Sequence, residues 1–436
     1  MNNIESPDDL ISPPPGAAGD SPYVLFRNRD FTLYLVARFI ASLGQQMLAY
    51  AVGWELYART HSVLTLGLVG LAQMVPMVFC TLPAGHVADS FNRKRIILAA
   101  TLVLGAASLG LMLISALQAR VFWVYFCLVA IGAGRTFLWP ASAAFLPHLV
   151  SRQQFARAVT FNSGTFQLSS ILGPMAGGGL VTVAGKFLAY PAATVYAANV
   201  LAALVCFILI LLIRREHKVE KRQPLSFKSL VEGFTFVFEN KIILGVITLD
   251  MFAVLLGGAT SLLPAYAKDI LKTGPVGLAL LVSAMSLGAV TCALILAHRP
   301  PLQKAGRAML WAVAVFGLAT IAFGVSKWLW FSFLMLVLCG GVDNVSVVVR
   351  HSLVQLLTPD EKRGRVSAVN SLFIGTSNQL GEFESGLVAY LFGPVMGHTN
   401  ATGSIISVVS GGIGTIIVVI AVALIWPQIR RYGKLA

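Results

Sequence analysis

GGVDNVSVVVRHSLVQLLTPDEKRGRVSAVNSLFIGTSNQLGEFESG, residues Gly340–Gly386, sets two apolar helical stretches around one charged turn. Asp343 and Arg350 interrupt the first stretch, Thr358–Arg365 forms the turn, and the second stretch carries Asn378, Gln379, Glu382 and Glu384. In water this would be a poor pair of core helices. In a bilayer, ionisable groups are costly enough to be rare, so each one marks a candidate functional position.

The membrane setting follows from composition. Of 436 residues, 57% are hydrophobic and only 11% charged, against about 25% charged in an ordinary soluble domain. The mean hydropathy is +0.79. Apolar runs near the length of about 20 residues needed to cross a bilayer fall at 31–57, 64–84, 96–117, 121–146, 157–183, 190–213, 242–266, 276–297, 308–326, 329–356, 367–392 and 405–426. They predict an all-α integral membrane protein with twelve transmembrane helices.

The net charge of +14 is explained by topology rather than by a nucleic-acid partner. With both termini inside, 23 of the 32 Lys and Arg fall in cytoplasmic segments and 6 on the opposite side, while Arg38, Arg135 and Arg350 lie within spans. Positive charge concentrates on the cytoplasmic face, so the expected location is a bacterial cytoplasmic membrane with N- and C-termini cytoplasmic. Met1–Asp20 is acidic and rich in Pro and Gly, without the basic start or apolar core of a signal peptide.

The expected organisation is a disordered tail over 1–25, a six-helix half over 26–213, a cytoplasmic linker over 214–240, a second six-helix half over 241–428 and a tail over 429–436. Within the linker, Phe227, Leu230, Val231, Phe234, Val237 and Phe238 recur near helical spacing, which predicts an amphipathic helix along the inner surface. An offset of 208 residues relates the halves. It lays Gly132 on Gly340, Arg157 on Arg365, Asn162 on Asn370, Gly173 on Gly381 and Gly178 on Gly386, with Arg135 on Asp343. Parallel six-helix repeats build one large class of secondary transporters, with the substrate site between the halves near the midplane.

Two further motifs name the family. TLPAGHVADSFNRKRI, Thr81–Ile96, resembles the major facilitator superfamily pattern G-x-x-x-D-R-x-G-R-[RK]-[RK] between spans two and three. Gly85, Asp89, Arg93, Lys94 and Arg95 match it; Ser90 replaces the usual Arg and Asn92 the usual Gly. Gly173-Pro174-Met175-Ala176-Gly177-Gly178 resembles the G-P-x-x-G-G core found especially in proton-coupled exporters of that superfamily, and also reads as a small-residue packing surface. TPDEKRGRVSAVNSLF, SNQLGEFESGLVA and SLGQQMLAYAVGWELYART resemble a bacterial branch that includes enterobactin exporters and macrolide-efflux-like permeases. The likeness extends over nearly all of Phe26–Trp426. It implies a latching role for Gly85, Asp89 and Arg93, and a conformational role for Gly173, Pro174, Gly177 and Gly178.

Counting along the spans puts Arg135, Asp343 and Glu382 roughly 21–23 Å in, at 1.5 Å per residue. Arg135 and Asp343 are therefore expected on opposite sides of one cavity, as a salt bridge, a split anion and proton pair, or a tie between the halves. Glu382 shares a helix face with Gln379 and Asn378, three and four residues before it, so Glu382 is expected inward and Glu384 paired with another helix in a packing role. Asp250 is a second candidate proton carrier, since burial favours the neutral form of a carboxylic acid. Arg350 is expected to snorkel to the inner interface, and one of Gln45 and Gln46, not both, to face the cavity.

The single cysteines and scattered histidines form no metal-ligand spacing, and no phosphate loop or nucleophile elbow occurs. Neither an enzyme, a metal site nor a cofactor is expected, leaving the proton gradient as energy source. The leading expectation is a monomeric secondary transporter among membrane lipids, exporting an amphipathic small molecule, siderophore or drug-like, in exchange for protons. The alternatives are a proton-coupled importer or facilitator of a metabolite, and a non-transporting receptor or lipid scramblase on the same fold.

Overall fold

The computed structural model describes residues 22–214, 227–300 and 303–433. Its helices are α1 (Arg29–Thr60), α2 (Val63–Ser90), α3 (Arg93–Ala116), α4 (Phe122–Leu149), α5 (Phe155–Ala184), α6 (Ala192–Leu211), α7 (Phe227–Glu239), α8 (Lys241–Leu256), the short turn α9 (Leu263–Ala265), α10 (Gly274–Ala297), α11 (Ala305–Val325), α12 (Leu329–Leu357), α13 (Asp360–Phe392), α14 (Asn400–Ile425) and α15 (Pro427–Arg431). Among the described residues, eleven segments are long and apolar enough to cross a membrane. Helix α13 is the twelfth. Its charged first turn and the polar groups along it lower its hydropathy, and it lies packed among α2, α7, α8 and α14.

Most of the expected N-terminal tail and the charge run after Arg214 lie outside the described residues. Pro22–Arg27 forms a short 3-10 helix before α1. Asn28 and Asn240 cap α1 and α8, each accepting two backbone N–H groups with its side-chain oxygen, which satisfies donors that a helix start leaves free.

The seventh span is broken. After α8 the chain passes Gly257 and Gly258, makes one 3-10 turn (Ala259–Leu262), and continues through α9 into a π turn at Tyr266–Ile270. A Cβ on Gly257 would lie 2.7 Å from the Phe316 ring, and one on Gly258 2.6 Å from the Gly381 carbonyl oxygen. Such an approach requires glycine. Irregular backbone at membrane depth is tolerated where protein or a polar cavity covers it, and here it brings Thr260 and Ser261 to the cavity between the halves.

The repeat seen at offset 208 is also a repeat of packing. Helix α2 lies on α4 as α10 lies on α12, α3 on α6 as α11 on α14, and α1 on α5 as α8 on α13. Across the seam α2 meets α13 and α5 meets α10. Two of the close approaches are themselves repeat-related. A Cβ on Gly386 would stand 2.6 Å from Gly67 Cα, and one on Gly178 would stand 3.1 Å from the Pro275 carbonyl oxygen; the offset carries Gly178 to Gly386 and Gly67 to Pro275. Apolar helices gain little from hiding from apolar lipid, so close backbone contact through small residues holds such seams.

Hydrogen bonds reinforce the seam on the face opposite the chain ends. Tyr50 Oη donates to the Pro275 carbonyl at 2.7 Å, Asn400 Nδ2 to the His61 carbonyl at 2.6 Å, and Tyr57 Oη to the Asp269 carboxylate.

Candidate functional site

A cavity of about 250 Å³ lies between the halves. Helix α1 contributes Gln46, α2 Gln73, α4 Arg135, the broken seventh span Thr260 and Ser261, and α13 Gln379 and Glu382. Arg135 is held from two sides: its Nε donates to Gln45 Oε1 at 3.2 Å and its Nη1 to Gln73 Oε1 at 2.9 Å. Gln46 Nε2 donates to Ser170 Oγ on α5 at 2.9 Å. The Glu382 carboxylate reaches over α2, where a Cβ on Gly70 would stand 3.0 Å from Oε2 and 2.5 Å from the Gln379 carbonyl oxygen. The missing side chain of Gly70 is what lets α13 bring this acid to the seam. Ser261 Oγ donates to the Glu382 carbonyl at 3.2 Å, tying the broken segment to the same helix turn. Gln379 Oε1 is buried without a hydrogen-bond partner among the described residues.

Several expected placements are corrected. Arg135 shares its cavity with Glu382, not with Asp343, which is absent from the lining. Asp343 follows Gly340 by three residues, and Gly340 packs against the Met285 backbone of α10, so that face of α12 turns into its own half. Asp250 is not a free carboxylate, and Arg350 does not snorkel. The two form an ion pair between α8 and α12, with side chains only 8% and 4% exposed. A carboxylate beside a buried guanidinium offsets part of the desolvation of both, so Arg350 is held inside by Asp250 instead of reaching the interface. Asn378 is exposed and donates to the Ile374 carbonyl of its own helix. Gln45 and Gln46 both serve the site, Gln45 by bonding Arg135 and Gln46 by lining the cavity. Glu384 stays outside the lining. Glu55, at the far end of α1, accepts from Tyr196 Oη at 2.8 Å and pairs with Arg59 at 3.3 Å.

The glycine motif of α5 forms the surface between α1 and α10. A Cβ on Gly173 would lie 2.4 Å from Gln46 Cβ, one on Gly177 3.0 Å from the Tyr50 ring, and one on Gly178 2.6 Å from Ala279 Cβ; Pro174 is buried within α5. Gly85 and Asp89 sit in the last turns of α2, and the Asp89 side chain lies outside the described residues. Only Phe91 and Asn92 separate α2 from α3. Asn92 caps α3, and the Arg93 guanidinium contacts the His148 ring.

Gln73, Thr260 and Ser261 escaped the sequence reading. Each had a signal: Gln73 is a lone polar residue within an apolar run, and the Gly257-Gly258 pair marks a broken span of the kind that surrounds transporter sites.

The model of the Major Facilitator Superfamily matches residues 34–381. An enterobactin exporter, EntS, of Escherichia coli O1:K1 / APEC is 26% identical over 408 residues, covering 93% of each chain. A bacterial homologue of the human lysosomal transporter Spinster, in an inward-facing and occupied conformation, superposes with TM-score 0.72 at 14% identity, over 95% of this chain and 98% of that one. The nucleoside transporter NupG superposes with TM-score 0.70 at 12% identity, over 93% and 100%.

Proposed function

We propose, on the premise that this chain belongs to the Major Facilitator Superfamily, that it exports an amphipathic small molecule, siderophore or drug-like, in exchange for protons. As a member of that family it is a multi-pass membrane transporter of a small-molecule substrate, not an enzyme. The observation that carries the finer reading is Arg135 and Glu382 in one cavity between the halves. A carboxylate there binds a proton in one state of the transporter and releases it in the other. A guanidinium stays charged throughout, so protonating Glu382 leaves Arg135 free to hold an anionic group of the substrate. Proton and substrate then alternate at one locus, and alternating access about the seam couples their movements.

The 26% identical relatives named as enterobactin exporters favour export and a siderophore-like cargo. The basic inner loops favour a bacterial cytoplasmic membrane with both termini cytoplasmic. The seam bonds on the opposite face then correspond to an inward-facing state. The proton gradient supplies the energy without a cofactor, and one chain in its lipid contains the whole pathway.

Everted vesicles test this reading with radiolabelled enterobactin and with ethidium. Accumulation of either that collapses when the pH gradient is dissipated, and that Glu382→Gln lowers by about tenfold or more, is the expected result; general acid–base groups commonly carry effects of 10²–10⁴ in their own reactions. Equal flux of both probes with and without the gradient, unchanged in Glu382→Gln, overturns proton exchange. Flux only into right-side-out vesicles overturns export.

A further inference from the structure

A second compartment, of about 190 Å³, adjoins the cavity on the side of the chain ends. It shares Arg135, Gln45 and Gln46 with the site above and adds Arg38, Ser42, Trp139 and Phe166. Among the described residues its lining holds two guanidiniums and no acid. Arg38 sits about 14 Å along α1 at 1.5 Å per residue. Its Nε is buried without a hydrogen-bond partner among the described residues. A guanidinium cannot shed its charge to suit such a place, and at this depth the charge calls for water or an anion.

Part of the lining is aromatic. Trp139 and Phe166 line the compartment while remaining 64% and 44% exposed. A planar apolar body packs on aromatic side chains of this kind. The volume lies below the roughly 300 Å³ of an ordinary ligand pocket, so the compartment suits one end of a molecule.

We propose that Arg38 and Arg135 together bind the anionic group of an aromatic organic anion, whose planar body lies against Trp139 and Phe166. This deepens the transport reading by naming a substrate class, and rests on it only for the claim that the bound anion is cargo. Glu382 belongs to the other compartment, so substrate charge and proton acid would flank Arg135 from two sides. A lipid phosphate offers the same anionic chemistry, and the test separates the two sources.

Equilibrium binding to the purified full chain in phosphatidylcholine nanodiscs requires no gradient, so its outcome is independent of proton coupling and of transport direction. The probes are 2-naphthoate and its neutral isostere 2-naphthamide, read by equilibrium dialysis. The wild type is expected to prefer the anion by about tenfold or more, the scale of one charge-assisted hydrogen bond. Arg38→Gln removes that preference, Arg38→Lys retains part of it, and Trp139→Ala weakens both probes alike while the preference survives. Monodispersity and thermal unfolding of each variant identify any that fails to fold, with Trp139→Ala as the independent arm. Equal binding of the two probes by the wild type, or an undiminished preference in folded Arg38→Gln, overturns the proposal. Phosphatidylglycerol in the nanodisc that displaces 2-naphthoate through Arg38 reassigns the site to lipid and also overturns it.

Discussion

The two halves share a backbone plan and differ in where they keep charge. The C-terminal half buries an ion pair, Asp250 with Arg350, between α8 and α12. The 208-residue offset carries those positions to Ser42 and Ser142 of the N-terminal half. Conversely Arg38, whose buried Nε has no hydrogen-bond partner among the described residues, corresponds to Val246 in the apolar core of the other half. Glu382 stands where the first repeat has Pro174. Symmetric packing thus supports an asymmetric cavity, with guanidiniums from α1 and α4 on one side and the carboxylate of α13 on the other. A seam that rocks needs matched surfaces, whereas an electrostatic site needs unmatched ones.

Breaking the buried pair gives the largest effect. Asp250→Ala leaves the Arg350 guanidinium without its counter-ion, and losing one partner of such a pair costs about 3–5 kcal/mol. Ser142→Ala at the repeat-related position is expected to cost under about 0.5 kcal/mol or to stabilise slightly, because Ser142 Oγ is buried with no hydrogen-bond partner among the described residues. Thermal unfolding of the detergent-solubilised variants compares the two directly. Similar losses at both positions would show that the charge asymmetry is not what distinguishes the halves.

Crowding the seam tests the symmetric side of the comparison. Gly386→Val pushes a side chain into the Gly67 backbone, and Gly178→Val pushes one toward Ala279 and the Pro275 carbonyl. Overpacking of this kind costs about 1–3 kcal/mol, enough to shift the balance of states by roughly five- to 150-fold. Spin labels at exposed Phe122 and Val395 should report a longer distance in both variants. A response in only one of them would mean that the two arms of the seam do not act as equivalents.

What could be read from the sequence divides along the same line. Long apolar runs and repeated glycines are consequences of the bilayer, which demands internally bonded helices and close small-residue packing; they are local and visible. The rotation of α12, which turns Asp343 away from the cavity, depends on Gly340 packing on the α10 backbone. The Asp250–Arg350 pair joins residues a hundred positions apart. Glu382 was legible as an inward acid from its helix face, yet the gap above Gly70 that admits it was not, because that gap belongs to another helix.

The smallest effect concerns the linker helix, where the repeat reaches further than the membrane spans. Phe26, before α1, sits on Phe161 of α5 with ring centroids 5.1 Å apart, and Phe234 of α7, its offset counterpart, sits on Phe373 of α13 at 5.7 Å. Helix α7 also buries Val237 and lays Gly233 against the Arg365 backbone. Its charged contact, Arg365 with Glu232, is 40% and 45% exposed. Exposed pairs contribute about 0–1 kcal/mol, so a double-mutant cycle over Arg365→Gln and Glu232→Gln should return a coupling in that range and fade in high salt. Phe234→Ala should loosen α7 more than either charge change, read as faster amide exchange across Phe227–Glu239. The reverse ranking would make α7 an electrostatic tether that salt or modification could release, and would end its equivalence with the Phe26 segment, which is held by ring packing.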